Sequence, residues 1–366
     1  MTTPATVPPS RRKKAAKLAA RLELQALLIV HPADVRYLSG FTGSNAALLL
    51  HGSRATLFTD GRYTTQANHE VDGAKVVIAD GSVALRACAA AVAAGVERCG
   101  FDAEHTTVYG LASMRNALPA KLRKGWFVAA NGLIAALREV KDEAEIQAMR
   151  AAASLGCKLF DQVLEHVVAG APEMEVALAL EYMARLEGAE RMSFETIVAS
   201  GKRSALPHGR ATDQRLPKRG FVTLDFGVML GGYCSDMTRT VHMGKASQEE
   251  HAVYDAVLAA QDAGLAAVRE GVTGGEVDEA ARSVLRVAGL DVYFTHSTGH
   301  GVGLEIHEGP KIGKKQAATL KAGMVITIEP GVYLPERFGV RIEDTVLVTK
   351  TGCEILTPST KAWIEL

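Results

Sequence analysis

Asp225, Asp236, His300, Glu329 and Glu343 constrain this chain most, because hairpin-forming and glycine-rich segments carry them and four converging carboxylates demand a cation. The first pair lies in VTLDFGVMLGGYCSDMTRT, where two apolar runs of period two flank Gly231 and Gly232 as in a hairpin. The midpoint of Asp225 and Asp236 falls between Leu230 and Gly231, so a two-residue turn there makes them directly opposed partners on one sheet face. In MVITIEPGVYLPERFGVRIEDTVLV the midpoint of Glu329 and Glu343 is Glu336, inside LPERF, and an odd-length turn again sets the two carboxylates opposite each other. A bulge shifts either register by one residue. Like charges facing each other across strands repel, and burial raises that cost. Divalent metal removes it. Oxygen-dominated ligation with one imidazole suits manganese first, then cobalt, iron or zinc. Five ligands, several able to bridge, exceed the needs of one catalytic ion with an open position, so two ions are expected.

The third element is THSTGHGVGLEIHEGP, with His296, His300 and His307. His296 and His300 have the i, i+4 spacing of a zinc-binding helix, but no Glu follows His296, and Gly299, Gly301 and Gly303 disfavour a helix. GHGVG also lacks the spacing and the strand-to-helix setting of a dinucleotide loop. What remains is a loop that permits close backbone approach and feeds a strand, VGLEIHE. A lone histidine is ordinarily a satisfied structural residue; here partners for metal or catalytic work are present.

With 366 residues the chain exceeds one typical domain. Basic and acidic side chains number 41 each, which gives no electrostatic case for nucleic acid. The basic run at 11–14 reads as a solvated helix start rather than an anchor. No apolar run reaches the length of a membrane span, and no signal-peptide core is visible. Five scattered cysteines without a CxxC pair read as reduced thiols of a cytoplasmic protein. Residues 1–10 read as a disordered tail. From 11 to 138, the runs ALLIV, AALLL, ATLF and KVVIA alternate with helical stretches such as ALRACAAAVAA, an α/β domain. From 139 to 366, helices near 141–169, 172–188, 248–270 and 275–289 combine with the hairpins in an α+β arrangement.

The motifs LDFGVMLGGYCSDMTRT, STGHGVGLEIHE, TIEPGVY and VRIEDT, in this order, resemble those of the pita-bread metallopeptidases, in particular the Xaa-Pro peptidases. The similarity extends to FETIVASGKRSALPHGRATD, RYLSGFTGSNAALLL and LFTDGRYTTQANHE, and so covers nearly the whole chain beyond its first ten or so residues. The resemblance implies a creatinase/prolidase-type amino-terminal domain ahead of a pita-bread catalytic domain. It implies that Asp225 binds one metal, that His300 and Glu329 hold the other, and that Asp236 and Glu343 bridge both. His208, His296 and His307 match substrate-side histidines, and Glu329 would also serve as base and proton shuttle. Tyr333 and Arg341 match positions behind the ligands; Arg341, two residues before Glu343, is placed for a bidentate contact to a ligating carboxylate.

The implied reaction is hydrolysis of the bond before proline at the amino terminus of a peptide, by a homodimer with no nucleic-acid or membrane partner. FTGSN and FTDGRY lean towards the short aminopeptidase P type. The alternative is a Xaa-Pro dipeptidase (prolidase), for which Lys311, after HEGP, would meet the dipeptide carboxylate as a point charge without arginine's fork. Methionine aminopeptidases have a longer gap between the two glutamates and lack this amino-terminal domain. A metal-free creatinase-like hydrolase and a non-catalytic peptide-binding module do not require five intact ligands.

Overall fold

The computed structural model describes residues 7–366. The chain divides into two compact units, one ending at Arg138 and the other spanning Glu139–Leu366. Of the tail expected at 1–10, residues 1–6 lie outside the described part. The remainder is ordered: Val7 is buried, its N–H donates to Asp72 Oδ2, and a helix begins at Pro9. The basic run does start that helix, but two of its side chains are not solvated. Arg11 and Arg12 are buried and donate to the carbonyls of Tyr37 and Leu38 in the last turn of the next helix.

The first unit is an α/β sandwich on a six-stranded sheet. Its strands are β1 (Ala26–Ile29), β2 (Ala46–His51), β3 (Arg54–Thr59), β4 (Ala74–Ile78), β5 (Cys99–Phe101) and β6 (Phe127–Ala129), in the order β4-β3-β2-β1-β5-β6. The four apolar runs noted above are β1 to β4. Ser82 caps the alanine-rich helix Val83–Ala93 through Leu85 N, and its smallest face, Ala87 and Ala91, is fully buried in the same core as Leu28, Leu49 and Phe58. Small side chains let helix and sheet approach closely.

In the second unit three helices begin with a capping box written in the sequence: Asp142 with Glu145 for Glu143–Val163, Ser247 with Glu250 for Gln248–Ala267, and Thr273 with Glu276 for Gly274–Val287. A fourth helix spans Glu173–Leu186. The strands are β7 (Arg191–Met192), β8 (Ile197–Ser200), β9 (Gly220–Phe226), β10 (Val228–Leu230), β11 (Tyr233–Cys234), β12 (Met237–Met243), β13 (Gly299–Gly301), β14 (Glu308–Ile312), β15 (Val325–Ile328), β16 (Gly331–Leu334), β17 (Phe338–Arg341), β18 (Asp344–Val348) and β19 (Cys353–Ile355). They form antiparallel sheets β11-β10-β7, β12-β9-β8, β14-β13-β15-β18-β19 and β16-β17.

Along β9, Val222, Leu224 and Phe226 enter the core with Leu159, Phe160 and Val241. Each fully buried apolar side chain contributes ~1.5–3 kcal/mol, so a one-residue slip that turned them outward is strongly disfavoured. That alternation fixes the face on which Asp225 lies. The first hairpin turns one residue later than expected. Gly231 and Gly232 have φ of 59° and 83°, as both central positions of a type I′ turn require, whereas a turn centred one residue earlier would force Leu230 to positive φ. Asp225 therefore pairs with Thr238, not Asp236. Asp236 falls in the gap between β11 and β12, diagonal to Asp225. At Gly227 a Cβ would lie 1.8 Å from Ser235 O, so only glycine permits the approach that brings these chains together here.

The second hairpin has the expected register. Ile328 pairs with Asp344 and Gly331 with Arg341, which sets Glu329 opposite Glu343, with Glu336 at the turn in the left-handed region at φ 58°. The strand expected at VGLEIHE is absent. Gly299–Gly301 forms β13 and the pairing resumes at Glu308, while residues 302–307 form an irregular, bent segment between them, its first part buried.

Candidate metal centre

Ten of the eleven residues singled out above line one cavity of about 470 Å³: His208, Asp225, Asp236, His296, His300, His307, Lys311, Glu329, Arg341 and Glu343. Tyr333 stands behind them, donating to His296 Nε2 at 2.8 Å and accepting from Arg341 Nη1 at 2.7 Å. Asp236, His300 and Glu343 each present a ligand atom within 4.8 Å of the others. His300 Nε2 lies 3.5 Å from Asp236 Oδ2 and 3.4 Å from Glu329 Oε1.

The polar partners of the carboxylates are directional. Thr238 Oγ1 donates to Glu343 Oε2 at 2.6 Å and Thr327 Oγ1 to Glu329 Oε1 at 3.0 Å. Arg341 Nη2 donates to Asp225 Oδ2 at 2.5 Å. The contact expected to be bidentate is single, because the other guanidinium nitrogens are committed to Thr238 Oγ1, Pro207 O and Tyr333. Asp225 Oδ1 is buried with no hydrogen-bond partner. His300 Nδ1 sits 3.0 Å from Gly301 O, so Nδ1–H donates there and the neutral ring aims an Nε2 lone pair at two carboxylates. An orphaned carboxylate oxygen and a lone pair facing anions both lack a positive partner.

Burial pushes Asp236 far above the carboxylate range, reinforced by Glu343 and Asp225. Burial does the same to Glu343, with Glu329 and Asp225 adding to it. Glu329 is pushed up to about 7, mainly by burial, against the pull of Arg341. Burial lowers His300. Without cations, then, the cluster holds protons on carboxylates and keeps its imidazole neutral, since Arg341 is the one buried cation contacting it among the described residues. The donor set fits divalent ions: oxygen-rich, with a single imidazole whose second nitrogen is fixed by a carbonyl.

On the open side, His208 and His307 are exposed and the ring of His307 lies edge-on to His300 with centroids 4.4 Å apart. His307 is lowered by burial and by the neighbouring histidines. Burial and Arg341 hold His296 at about 4; its Nδ1–H meets Ser297 O at 2.8 Å, leaving Nε2 to accept from Tyr333. Lys311 is the direct antiparallel partner of His300, so both project from one sheet face.

Several positioning residues escape motif reading. Arg239 is fully buried and meets Asp344 Oδ1 at 2.7 Å, the carbonyls of Thr238 and Glu343, and those of Thr357, Ser359 and Thr360. It ties the two carboxylate-bearing hairpins together from behind. Arg282 donates to Phe294 O and His296 O, and Asp278 accepts from Thr298 Oγ1, so the helix Gly274–Val287 holds the loop that enters β13. The available signal was alternation. Arg239 and Asp344 each sit one residue from a site-facing group, Thr238 and Glu343, and such a position points to the opposite face.

Residues 147–350 match Metallopeptidase family M24, and residues 11–140 match the Creatinase/Prolidase N-terminal domain. A Xaa-Pro dipeptidase of Pyrococcus horikoshii is 35% identical over 96% of this chain and 98% of its own. A solved Xaa-Pro dipeptidase from Bacillus anthracis superposes with a TM-score of 0.93 at 36% identity, covering 98% of this chain and 99% of the other. The X-Pro aminopeptidase of Thermotoga maritima gives a TM-score of 0.88 at 37% identity over 95% and 99%. Motif order, two-domain architecture and a cation-demanding cluster thus agree with relatives that span both chains, and the protein belongs to metallopeptidase family M24, with a creatinase/prolidase amino-terminal domain preceding the pita-bread peptidase domain.

Proposed function

We propose that the protein is a Xaa-Pro dipeptidase that uses two divalent ions, manganese before cobalt, zinc or iron, held by Asp225, Asp236, His300, Glu329 and Glu343. The observation that carries the dipeptide reading is the cross-strand pair of His300 and Lys311 on the wall of the same cavity. With the scissile carbonyl near His300, the carboxylate of a dipeptide lies one residue further on, ~3.5 Å of chain, within reach of the lysine ammonium. Two full-length relatives bearing the dipeptidase name support the same choice. The lean towards aminopeptidase P drawn from FTGSN and FTDGRY gives way, because the dipeptidase relatives cover those segments too. The Thermotoga relative keeps aminopeptidase activity as the second reading.

Bound divalent ions would polarise the scissile carbonyl and acidify the attacking water. Glu329 is the proton acceptor in this reading: its Oε1 accepts from Thr327 Oγ1 at 3.0 Å and lies 3.4 Å from His300 Nε2, which fixes its carboxylate inside the ligand cluster. His307, on the open side beside His300, donates to the developing oxyanion, while His208 and His296 shape the pocket, with burial and Arg341 keeping His296 neutral and Tyr333 fixing its ring. A tertiary Xaa-Pro amide offers no N–H, so recognition falls on the ring and the two chain ends. A homodimer in the cytoplasm belongs to the same proposal. The five cysteines are free, and no helix among the described residues is long and apolar enough to cross a membrane.

The test is hydrolysis of a Xaa-Pro dipeptide beside the matching tripeptide amide, in wild type and Lys311→Ala. Loss of one charge-assisted contact costs ~1.5–3 kcal/mol, so the dipeptide KM should rise about tenfold or more and the tripeptide amide should be cleaved poorly throughout. Efficient tripeptide cleavage with no effect of Lys311→Ala would return the aminopeptidase reading.

A further inference from the structure

The second unit contains another hollow, of about 440 Å³, whose lining includes Lys202, Arg203, Arg215, Arg219, Arg337 and Glu250. The chain as a whole carries 41 basic and 41 acidic side chains, so five cations around one carboxylate is a local departure from its composition. Carboxylates aim three of the arginines. Arg219 meets Glu250 at 2.8 Å, Arg203 meets Glu173 at 3.0 Å, and Arg337 pairs with Glu249. Counting Glu173 and Glu249 together with Glu250, two positive charges remain uncompensated. They belong to Lys202, which has no hydrogen-bond or ion-pair partner among the described residues, and to Arg215, whose Nη1 meets only a neutral acceptor, Gly170 O, at 2.7 Å. Both side chains are exposed to the hollow and to solvent.

A lysine and an arginine lining one concave surface, with further guanidinium groups in the same lining, match the oxygens of a phosphate group, which accepts paired N–H donors and carries two charges. The hollow is larger than the anion and falls in the size range of small-molecule sites. Pro217 and Phe338 give it an apolar side. We propose that this hollow binds a phosphate-class dianion, either inorganic phosphate or the phosphate of a small monoester. The site is separate from the peptidase cavity but shares its framework. The short helix Gly201–Ala205 runs on to Pro207 and His208, and Arg337 precedes β17, which ends at Arg341.

The experiment is calorimetric titration of the full, metal-loaded protein with inorganic phosphate and with glycerol phosphate, at ionic strength held constant with chloride. Three proteins are compared: wild type, Lys202→Ala/Arg215→Ala, and the charge-keeping Lys202→Arg/Arg215→Lys. Neither position touches the peptidase cavity, so peptidase activity reports that the variants fold. Wild type and the charge-keeping variant should bind with comparable affinity, and the alanine variant about tenfold or more weakly, the cost of a lost charge-assisted contact. Tighter binding of glycerol phosphate would identify a monoester as the occupant, and equal binding the anion alone. Absence of saturable binding to wild type, or equal affinity in wild type and the alanine variant as for phosphate seated on the metal ions, would overturn the proposal.

Discussion

Glu329 makes the metal-free protein less stable as pH rises. Its folded-state value of about 7 stands above the ordinary 4.5, chiefly through burial. A group raised in this way contributes stability that is complete below the unfolded value and is lost as pH climbs through the folded one. At ~1.4 kcal/mol per pH unit, integration between pH 5 and pH 8 gives a loss of roughly 2–3 kcal/mol from this carboxyl alone. Histidines oppose the trend at the acid end: His296, held at about 4, contributes stability that is lost as pH falls from the ordinary histidine value towards 4. Glu329→Gln separates the two effects, because the amide does not titrate while every histidine remains. Chelator-treated wild type and variant would be melted at pH 5 and pH 8. Wild type should lose roughly 2–3 kcal/mol more than the variant, a difference of roughly 4–12 °C in the transition of a unit this size. Manganese should stabilise wild type more at pH 8 than at pH 5, since its ligands must shed protons to bind. Parallel pH dependence of the two metal-free proteins would refute the account of a carboxyl protonated for want of a cation.

Asp236→Asn and Glu343→Gln should each lower metal content measured by elemental analysis and abolish peptidase activity, with circular dichroism unchanged. His300→Ala should reduce both metal content and turnover, whereas His307→Ala should cut turnover and spare the metal; equal metal loss in the two would reverse their roles. Asp344→Asn leaves the buried Arg239 without its charge partner and should cost ~3–5 kcal/mol in urea unfolding.

Hydrophobic alternation and turn chemistry made the architecture of both units readable, because each strand's apolar face and each capping box is a local property. The five proposed ligands, taken from the hairpins and the glycine-rich segment, line one cavity. The second hairpin kept its register because its turn is odd-numbered and centred on Glu336. The first slipped because the need for two left-handed residues overrode the symmetry of the aspartates. Long-range hydrogen bonding was not readable. Arg239 joins segments more than a hundred residues apart, and nothing near it in sequence distinguishes it from a surface arginine. Arg11 and Arg12 are hidden from pattern reading in the same way: carbonyls of a distant helix end decide their burial. The choice between dipeptide and longer substrates depends on one lysine at the cavity wall, a question of placement that residue type leaves open.

The Arg239 clasp also sets the order of assembly during synthesis. Asp225 and Asp236 are made more than a hundred residues before the second hairpin is complete, and the guanidinium behind them has no complete set of acceptors until Glu343, Asp344 and the carbonyls at 357–360 have followed. The β12 edge likewise waits for Ile364 and Leu366, which exchange backbone hydrogen bonds with His242 and Gly244. A nascent chain therefore carries two aspartates without their glutamate partners until the second hairpin has been made. A fragment that stops short of residues 357–360 leaves Arg239 without the carbonyls of Thr357, Ser359 and Thr360, so the two carboxylate-bearing hairpins hold their mutual placement only once that segment has joined them.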